Sequence, residues 1–255
     1  MSHPHQHSSS HAPSQPAAED APLDLREKGG PKDGVTQYSD KRLFMQLTAF
    51  TGCRDAQPLI NGLIGCGVDC VLYEEVNDPT GVGVLAMAED PSLFVTKLRR
   101  DLSSGPFKDL GIKPEFSMLG RTYSLGYEPK LDDWLLHRPK RVTTDPATPW
   151  AVWYPLRRTG AFARLPRAEQ GQILKEHGII GRQFGDAGHA SDIRLACHGL
   201  DKNDNDFVIG LIGKELAPLS QLVETMRPTV QTSQYLSNLG PFFVGRALWR
   251  TPQKP

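Results

Sequence analysis

The sequence predicts an α+β fold in which two ferredoxin-like units pack as a dimeric α+β barrel within one chain. Three observations lead there. Apolar residues repeat with period 2 in some stretches and with helical spacing in others. The order β-α-β-β-α-β can be read twice, a split β-α-β pattern each time. A polar, proline-containing connector at 128–148 separates the two readings. The implied organisation is a disordered tail at 1–39, an N-terminal half with its connector at 40–148, and a C-terminal half at 149–255.

Residues 1–39 are dominated by Ser, Pro, His, Ala and charge, with His3, His5, His7 and His11 among them. Too little apolar surface is present to offset the entropy of ordering such a segment. It lacks a basic stretch followed by an apolar one, so no export signal is expected. Arg42–Phe50 then alternates and is rich in strand formers, and Asp55–Gly65 suits a short helix. Asp69–Val76 and Gly81–Ala88 read as strands joined by a turn at Asn77–Thr80. Pro91 opens a helix to Leu102, with Leu93, Phe94, Leu98 and Leu102 at helical spacing and proline in the first turn. Ser117–Tyr127 is extended.

The second pass begins with a strand at Trp150–Leu156. Pro166–His177 is a helix that Gly178 is placed to end. Asp192–His198 and Phe207–Ile212 are strands. Lys214–Arg227 is a helix whose Leu216, Leu219, Leu222, Val223 and Met226 form one apolar stripe. Pro241–Gly245 begins the last strand.

Composition excludes whole classes. Lys+Arg and Asp+Glu both number 29 in 255 residues, so the net charge is zero. A general nucleic-acid binder needs a cationic surplus facing the phosphates, and none exists. No apolar run approaches the roughly 20 residues of a membrane span. Four cysteines, Cys53, Cys66, Cys70 and Cys197, are too few for a disulfide scaffold. Cys66 and Cys70 lie in an apolar stretch with no second pair to complete a zinc site, which suits buried free thiols in a reduced, cytoplasmic chain.

Chemistry-bearing residues concentrate after residue 150. His177 follows Leu174 by three residues and Ile173 by four, on the apolar face of its helix. Periodicity leaves it either a satisfied core histidine or a neutral imidazole aimed at a metal or haem iron. Period-2 alternation puts Tyr154, Leu156 and Arg158 on one strand face. An inward phenol and guanidinium suit an acidic, redox-active ligand, since Arg clamps carboxylates and Tyr can give up a hydrogen atom. Tyr154 as a core aromatic and Arg158 as a surface residue is the competing assignment.

Taken together, YPLRR (154–158), LPRAEQGQILKEHGIIGRQF (165–184), HGLD (198–201), ETMRPTVQTSQY (224–235) and GPFFVG (240–245) resemble the chlorite dismutase superfamily, and within it the coproheme decarboxylase branch. The likeness spans about residues 41–250 and is specific over 150–250. It implies a haem or coproheme cofactor bound in the C-terminal half, often in a homopentamer. It further implies peroxide-dependent decarboxylation of iron coproporphyrin III to haem b, with porphyrin and hydrogen peroxide as the partners. His177 stands at the axial iron ligand, Tyr154 at the radical-forming catalytic tyrosine, Arg158 and Arg182 at propionate holders, and Thr232 at a hydroxyl that binds a propionate.

The resemblance has departures. Where chlorite-degrading members carry a distal Arg and many decarboxylases a Gln, counting back from Gly199 gives Asp192. Arg194 matches only if the strand shifts register by two. Another branch uses a His upstream of the tyrosine, and His137 has that spacing as a distal base. A chlorite dismutase or peroxidase-like enzyme and a non-catalytic haem-binding protein are the alternative readings.

Overall fold

The computed structural model describes residues 22–252. A hairpin of β1 (Glu27–Lys32) and β2 (Val35–Ser39) comes first. This corrects the disordered tail over 27–39; His3, His5, His7 and His11 lie outside the described residues. Asp33 and Gly34, the two turn residues, both have positive φ, the geometry of an Asp-Gly type I′ turn. What holds the hairpin is polar. The Glu27 carboxylate accepts hydrogen bonds from Arg42 Nε at 2.9 Å, Arg121 Nη1 at 3.0 Å, and the Ser124 backbone and hydroxyl at 3.0 and 3.1 Å.

The body of the fold is a single large antiparallel sheet with helices against it. β3 (Phe44–Thr51), α1 (Gln57–Ile64), β4 (Asp69–Glu75) and β5 (Val82–Ala88) follow the hairpin. A π turn at Phe94–Leu98 runs into α2 (Arg99–Leu102), and β6 spans Gly111–Thr122. A second π turn, Asp133–His137, runs into α3 (Arg138–Thr144). Then come β7 (Trp150–Arg158), α4 (Gly160–Arg164), α5 (Arg167–Asp186), β8 (Ser191–Ala196) and β9 (Phe207–Gly213). α6 (Leu216–Met226), α7 (Val230–Tyr235), β10 (Leu236–Leu239) and β11 (Phe243–Arg250) complete the chain. The sheet order is β10-β7-β11-β4-β5-β3-β6-β8-β9, and β9 pairs back onto β7. Eight strands therefore close into a ring, with β10 extending the edge of β7 beside β11.

Alternation along the strands separates two environments. Inside the ring lie Met45, Leu47, Val71, Tyr73, Leu85, Trp153, Ile193, Leu195, Ile212 and Phe243. Outside β7–β9, under α5 and α6, lie Val152, Tyr154, Leu156 and Leu211. Outside β4 and β5, under α1 and α2, lie Leu72, Val82, Val84 and Ala86 with Leu59, Leu63 and Leu98.

Two expectations are corrected by packing. The connector at 128–148 is helical over most of its middle. Leu131, Leu135 and Leu136 are buried in the ring interior and stopper it. Pro139 lacks an N–H, and the π turn before it lets Arg138 N–H bond Asp133 O instead of breaking the helix. Gly178 does not end its helix either: α5 continues to Asp186 because Ile180 and Phe184 beyond it pack on the outer face of β7–β9. A mid-helix glycine costs only about 1 kcal/mol, which that contact offsets. The stop comes at Gly188, whose φ is +70°. Among the described residues no helix is long and apolar enough to cross a membrane.

The large interior aromatics rest on glycines. A Cβ at Gly210 would lie 2.4 Å from the Trp153 ring, and one at Gly83 would lie 2.4 Å from Phe243. Gly210→Ala is therefore expected to lose about 1–3 kcal/mol of stability through overpacking, read as a lowered denaturation midpoint. A solvent-facing control, Gly171→Ala, meets no atom within 4 Å and should not lose stability.

Candidate active site

The outer face of the β7–β8–β9 sheet carries most of the polar chemistry. Tyr154 and Arg194 both pair with Ile209, one from each side, so the three side chains share a face at one level. Asp192, Leu211 and Val152 form the next level along. Arg158 lies on the same face of β7, four residues beyond Tyr154.

Tyr154 is 8 % exposed and stacks on Phe242 with ring centroids 4.7 Å apart and planes 29° apart. Burial, reinforced by the Asp192 charge, pushes the phenol above its usual range, while Arg227 acts the other way. The O–H bond thus stays intact at any ordinary pH. A buried phenol that keeps its proton can donate a hydrogen bond and is no standing phenolate.

Arg158 is enclosed by aromatic rings. Its guanidinium carbon lies 4.8 Å from the Phe162 centroid and 4.6 Å from that of Phe207. Its Nε is buried with no hydrogen-bond partner, although the backbone N–H donates to Asp206 Oδ2 at 2.8 Å. Burial pushes the guanidinium below its usual range. Such a group is short of an acceptor and fits a carboxylate. A second phenol, the partly buried Tyr123, lies tilted against Phe207 with ring centroids 5.6 Å apart; burial pushes its pKa up, with Arg194 and Arg158 opposing.

Asp192 is not a free base. Arg194 Nε approaches its Oδ2 at 3.0 Å, and Arg138 reaches Oδ1 at 3.5 Å while donating to the Asp192 carbonyl at 2.7 Å. The Trp134 ring takes both guanidiniums, at 5.0 Å for Arg138 and 5.3 Å for Arg194. Its indole N–H donates to the Tyr123 carbonyl at 3.0 Å, which fixes the plate. The carboxylate therefore orients Arg194, the cation level with Tyr154.

His177 lies on α5, and two threonines hold it. Thr229 Oγ1 is 3.0 Å from Nδ1 and Thr232 Oγ1 is 3.4 Å from Nε2. The Thr229 hydroxyl also reaches the Met226 carbonyl at 2.7 Å. With its proton on that carbonyl, the oxygen accepts from Nδ1–H, and the Nε2 lone pair then faces the Thr232 hydroxyl. Burial lowers the His177 pKa, with Arg158 in the same direction and Glu176 opposing. The imidazole is neutral, the form that ligates metals. Thr229 was not anticipated; its signal is the Arg-Pro-Thr step that caps α7 against α5.

The remaining expected residues are Thr232, Arg182 and His137. Thr232 contacts His177. Arg182 is exposed, about 140° round α5 from His177 at 3.6 residues per turn. His137 is exposed at the end of its π turn and makes no hydrogen bond to the other named residues. Among the described residues no three His, Cys, Asp or Glu side chains converge as a metal cluster.

The chlorite dismutase family profile matches residues 95–248, more than half of the chain. The chain belongs to the chlorite dismutase family. No curated protein matches it. A heme-binding protein from Thermus thermophilus shares the fold at a TM-score of 0.63 and 20 % identity, over 82 % of this chain and 91 % of that one. A chlorite dismutase from Candidatus Nitrospira defluvii, solved with imidazole, does so at 0.62 and 13 % identity, over 82 % and 92 %. At such identities the likeness is one of fold. In this family member the mixed fold with one large antiparallel sheet agrees with those structures.

The neutral His177 has a pH signature. Its folded-state pKa lies below 6.5, so between that depressed value and about 6.5 the unfolded chain binds the extra proton. Stability should rise with pH through this window and fall as pH drops through it. Urea midpoints measured across the window should show that slope, and His177→Gln should flatten it. An unchanged slope in the variant would remove burial of His177 as its cause.

Proposed function

We propose that this chain is a haem-dependent oxidoreductase that decarboxylates iron coproporphyrin III propionates to vinyl groups with hydrogen peroxide. Each event balances as one propionic acid plus one peroxide giving one vinyl group, one carbon dioxide and two waters. The observation that carries the reading is a buried, protonated Tyr154 together with a half-buried neutral His177 and a half-buried Arg158 whose Nε lacks an acceptor.

The residues fit an anionic iron porphyrin. His177 would hold the iron through Nε2 in place of its Thr232 contact, with Thr229 on the opposite nitrogen. Arg158 would bind a propionate through its guanidinium, whose Nε is otherwise without an acceptor. The 20-residue α5 has no buried residue despite Ile173, Leu174 and the half-exposed Ile179, so apolar helix surface remains to cover a macrocycle. Bound iron coproporphyrin supplies the two-electron chemistry with peroxide. Tyr154 would supply the hydrogen of its Oη and, as a radical, accept one from a propionate Cβ. Phe242 and the burial of Tyr154 would shield that ring from water. Arg194, oriented by Asp192, would be the cation toward the oxidant in place of Asp192 itself.

The barrel is read as two ferredoxin-like units, supported by the repeated neighbour order β4-β5-β3-β6 and β8-β9-β7-β11. Chemistry lies on the second.

The test adds iron coproporphyrin III and peroxide to the purified chain and follows porphyrin mass. Stepwise loss of formic-acid-sized increments is expected, and Tyr154→Phe should abolish it with binding retained. Full activity in that variant would sink the assignment. Arg158→Ala should weaken coproporphyrin binding by about tenfold or more, the equivalent of one charge-assisted hydrogen bond. A second reading, chlorite degradation, draws on Arg194 at the level of Tyr154. Oxygen release from chlorite, lost in Arg194→Gln, would favour it.

A further inference from the structure

Outside the site just described, the first half of the barrel holds a second reactive pair. Cys66, in the turn between α1 and β4, and Cys70, on β4, have sulfurs 4.0 Å apart. Both are buried, at 1 % and 0 % exposure, among Leu63, Val68 and Leu98. The Cys66 sulfur also donates to the Val68 carbonyl at 3.3 Å. The Cys70 backbone N–H is tied to Thr251 Oγ1 at 2.9 Å, so β4 is held while the turn is the more adjustable partner. Gly67 in that turn has a φ of +68° and is exposed together with Ile64 and Gly65, while Cys66 and Val68 on either side of it are buried. Cys66 therefore lies one residue beneath the surface.

We propose that Cys66 and Cys70 form a redox-active dithiol that a hydroperoxide closes to an intrachain disulfide. This goes beyond the haem site and does not depend on it. The Cys66 thiolate attacks one peroxide oxygen, giving a sulfenic acid and releasing hydroxide from the other oxygen. The Cys70 sulfur then attacks the sulfenic sulfur, the S–S bond forms, and water leaves with the Cys70 proton. Peroxide is reduced by two electrons and the two thiols are oxidised by two. Closure would bring the sulfurs from 4.0 Å to the disulfide length of about 2.05 Å.

The division of labour between the sulfurs follows from their surroundings. The Cys70 thiol donates to Cys66 and holds its pKa down to about 7, against the opposing effects of burial and the Asp101 charge. Cys70 is correspondingly pushed well up by that same contact, by burial, and by Asp69 and Asp101. Cys53 is raised by burial, and Cys197 is pushed up to about 12. The thiolate is the nucleophile, so of the four cysteines Cys66 attacks and Cys70 resolves.

The test treats the full chain with hydrogen peroxide, with and without iron porphyrin, then alkylates under denaturing conditions and maps peptides by mass. In both preparations the peptide holding Cys66 and Cys70 should lose two hydrogen masses, resist alkylation, and recover after dithiothreitol. Cys53 and Cys197 should remain alkylated. Cys70→Ser should halt at a sulfenic acid that dimedone traps on residue 66, and Cys66→Ser should leave Cys70 fully alkylatable. A pair that stays fully alkylatable in excess peroxide, or that links instead to Cys53 or Cys197, overturns the proposal. The wild-type map decides even if a variant fails to fold. A chain that closes the disulfide but leaves coproporphyrin untouched would sink only the haem reading.

Discussion

Strand β7 is hydrogen-bonded to β9 along one edge and to β11 and β10 along the other, and that double pairing closes the ring. Because successive side chains must point to opposite faces, closure assigns Trp153 to the interior and Tyr154 to the helix-covered outside in one step. A slip of one residue would exchange them, putting a phenol against Gly210 and an indole under α5. The glycine beneath Trp153 makes that register costly to change, since no other residue leaves room for the indole. Everything proposed for the site depends on Tyr154 and Arg158 staying on the outer face together.

The electrostatics of that face follow from how cations are desolvated. Guanidinium is weakly hydrated and planar, so aromatic rings can replace much of its water. The chain uses this twice. Phe162 and Phe207 enclose Arg158 and leave its Nε without an acceptor, whereas Trp134 carries Arg194 and Arg138 while Asp192 neutralises both. One arginine is thus left wanting an anion and the other is held in place by one. The connector helix that plugs the ring also supplies Trp134 and Arg138, so a part of the site comes from a segment whose packing role is structural.

The long apolar elements were legible because burial marks them directly. β4, β5, β7 and β9, covered on both faces, are short near-continuous apolar runs, and α6 carries one apolar stripe. The hairpin over 27–39 was not, since it is held by Glu27 and by backbone contacts instead of apolar burial; its Asp33–Gly34 turn was the one visible sign. The connector helix hid behind Pro139 and a run of charges, with its Leu131, Leu135 and Leu136 spaced around a π turn that breaks ordinary helical periodicity. Gly178 looked like a stop because local propensity says so, and contacts from Ile180 and Phe184 overrode it.

For the site, the sequence by itself determined the residue types and their spacing along each element: His177 on an apolar helix face, and Tyr154 and Arg158 two steps apart on one side of a strand. These are properties of single elements, set by bond geometry. Which atoms meet was decided only in three dimensions. Thr229 reaches His177 from 52 positions away, Arg138 reaches Asp192 from 54, and Arg194 comes level with Tyr154 only through the register of β9. Such meetings depend on chain crossings and strand register, which no local periodicity encodes.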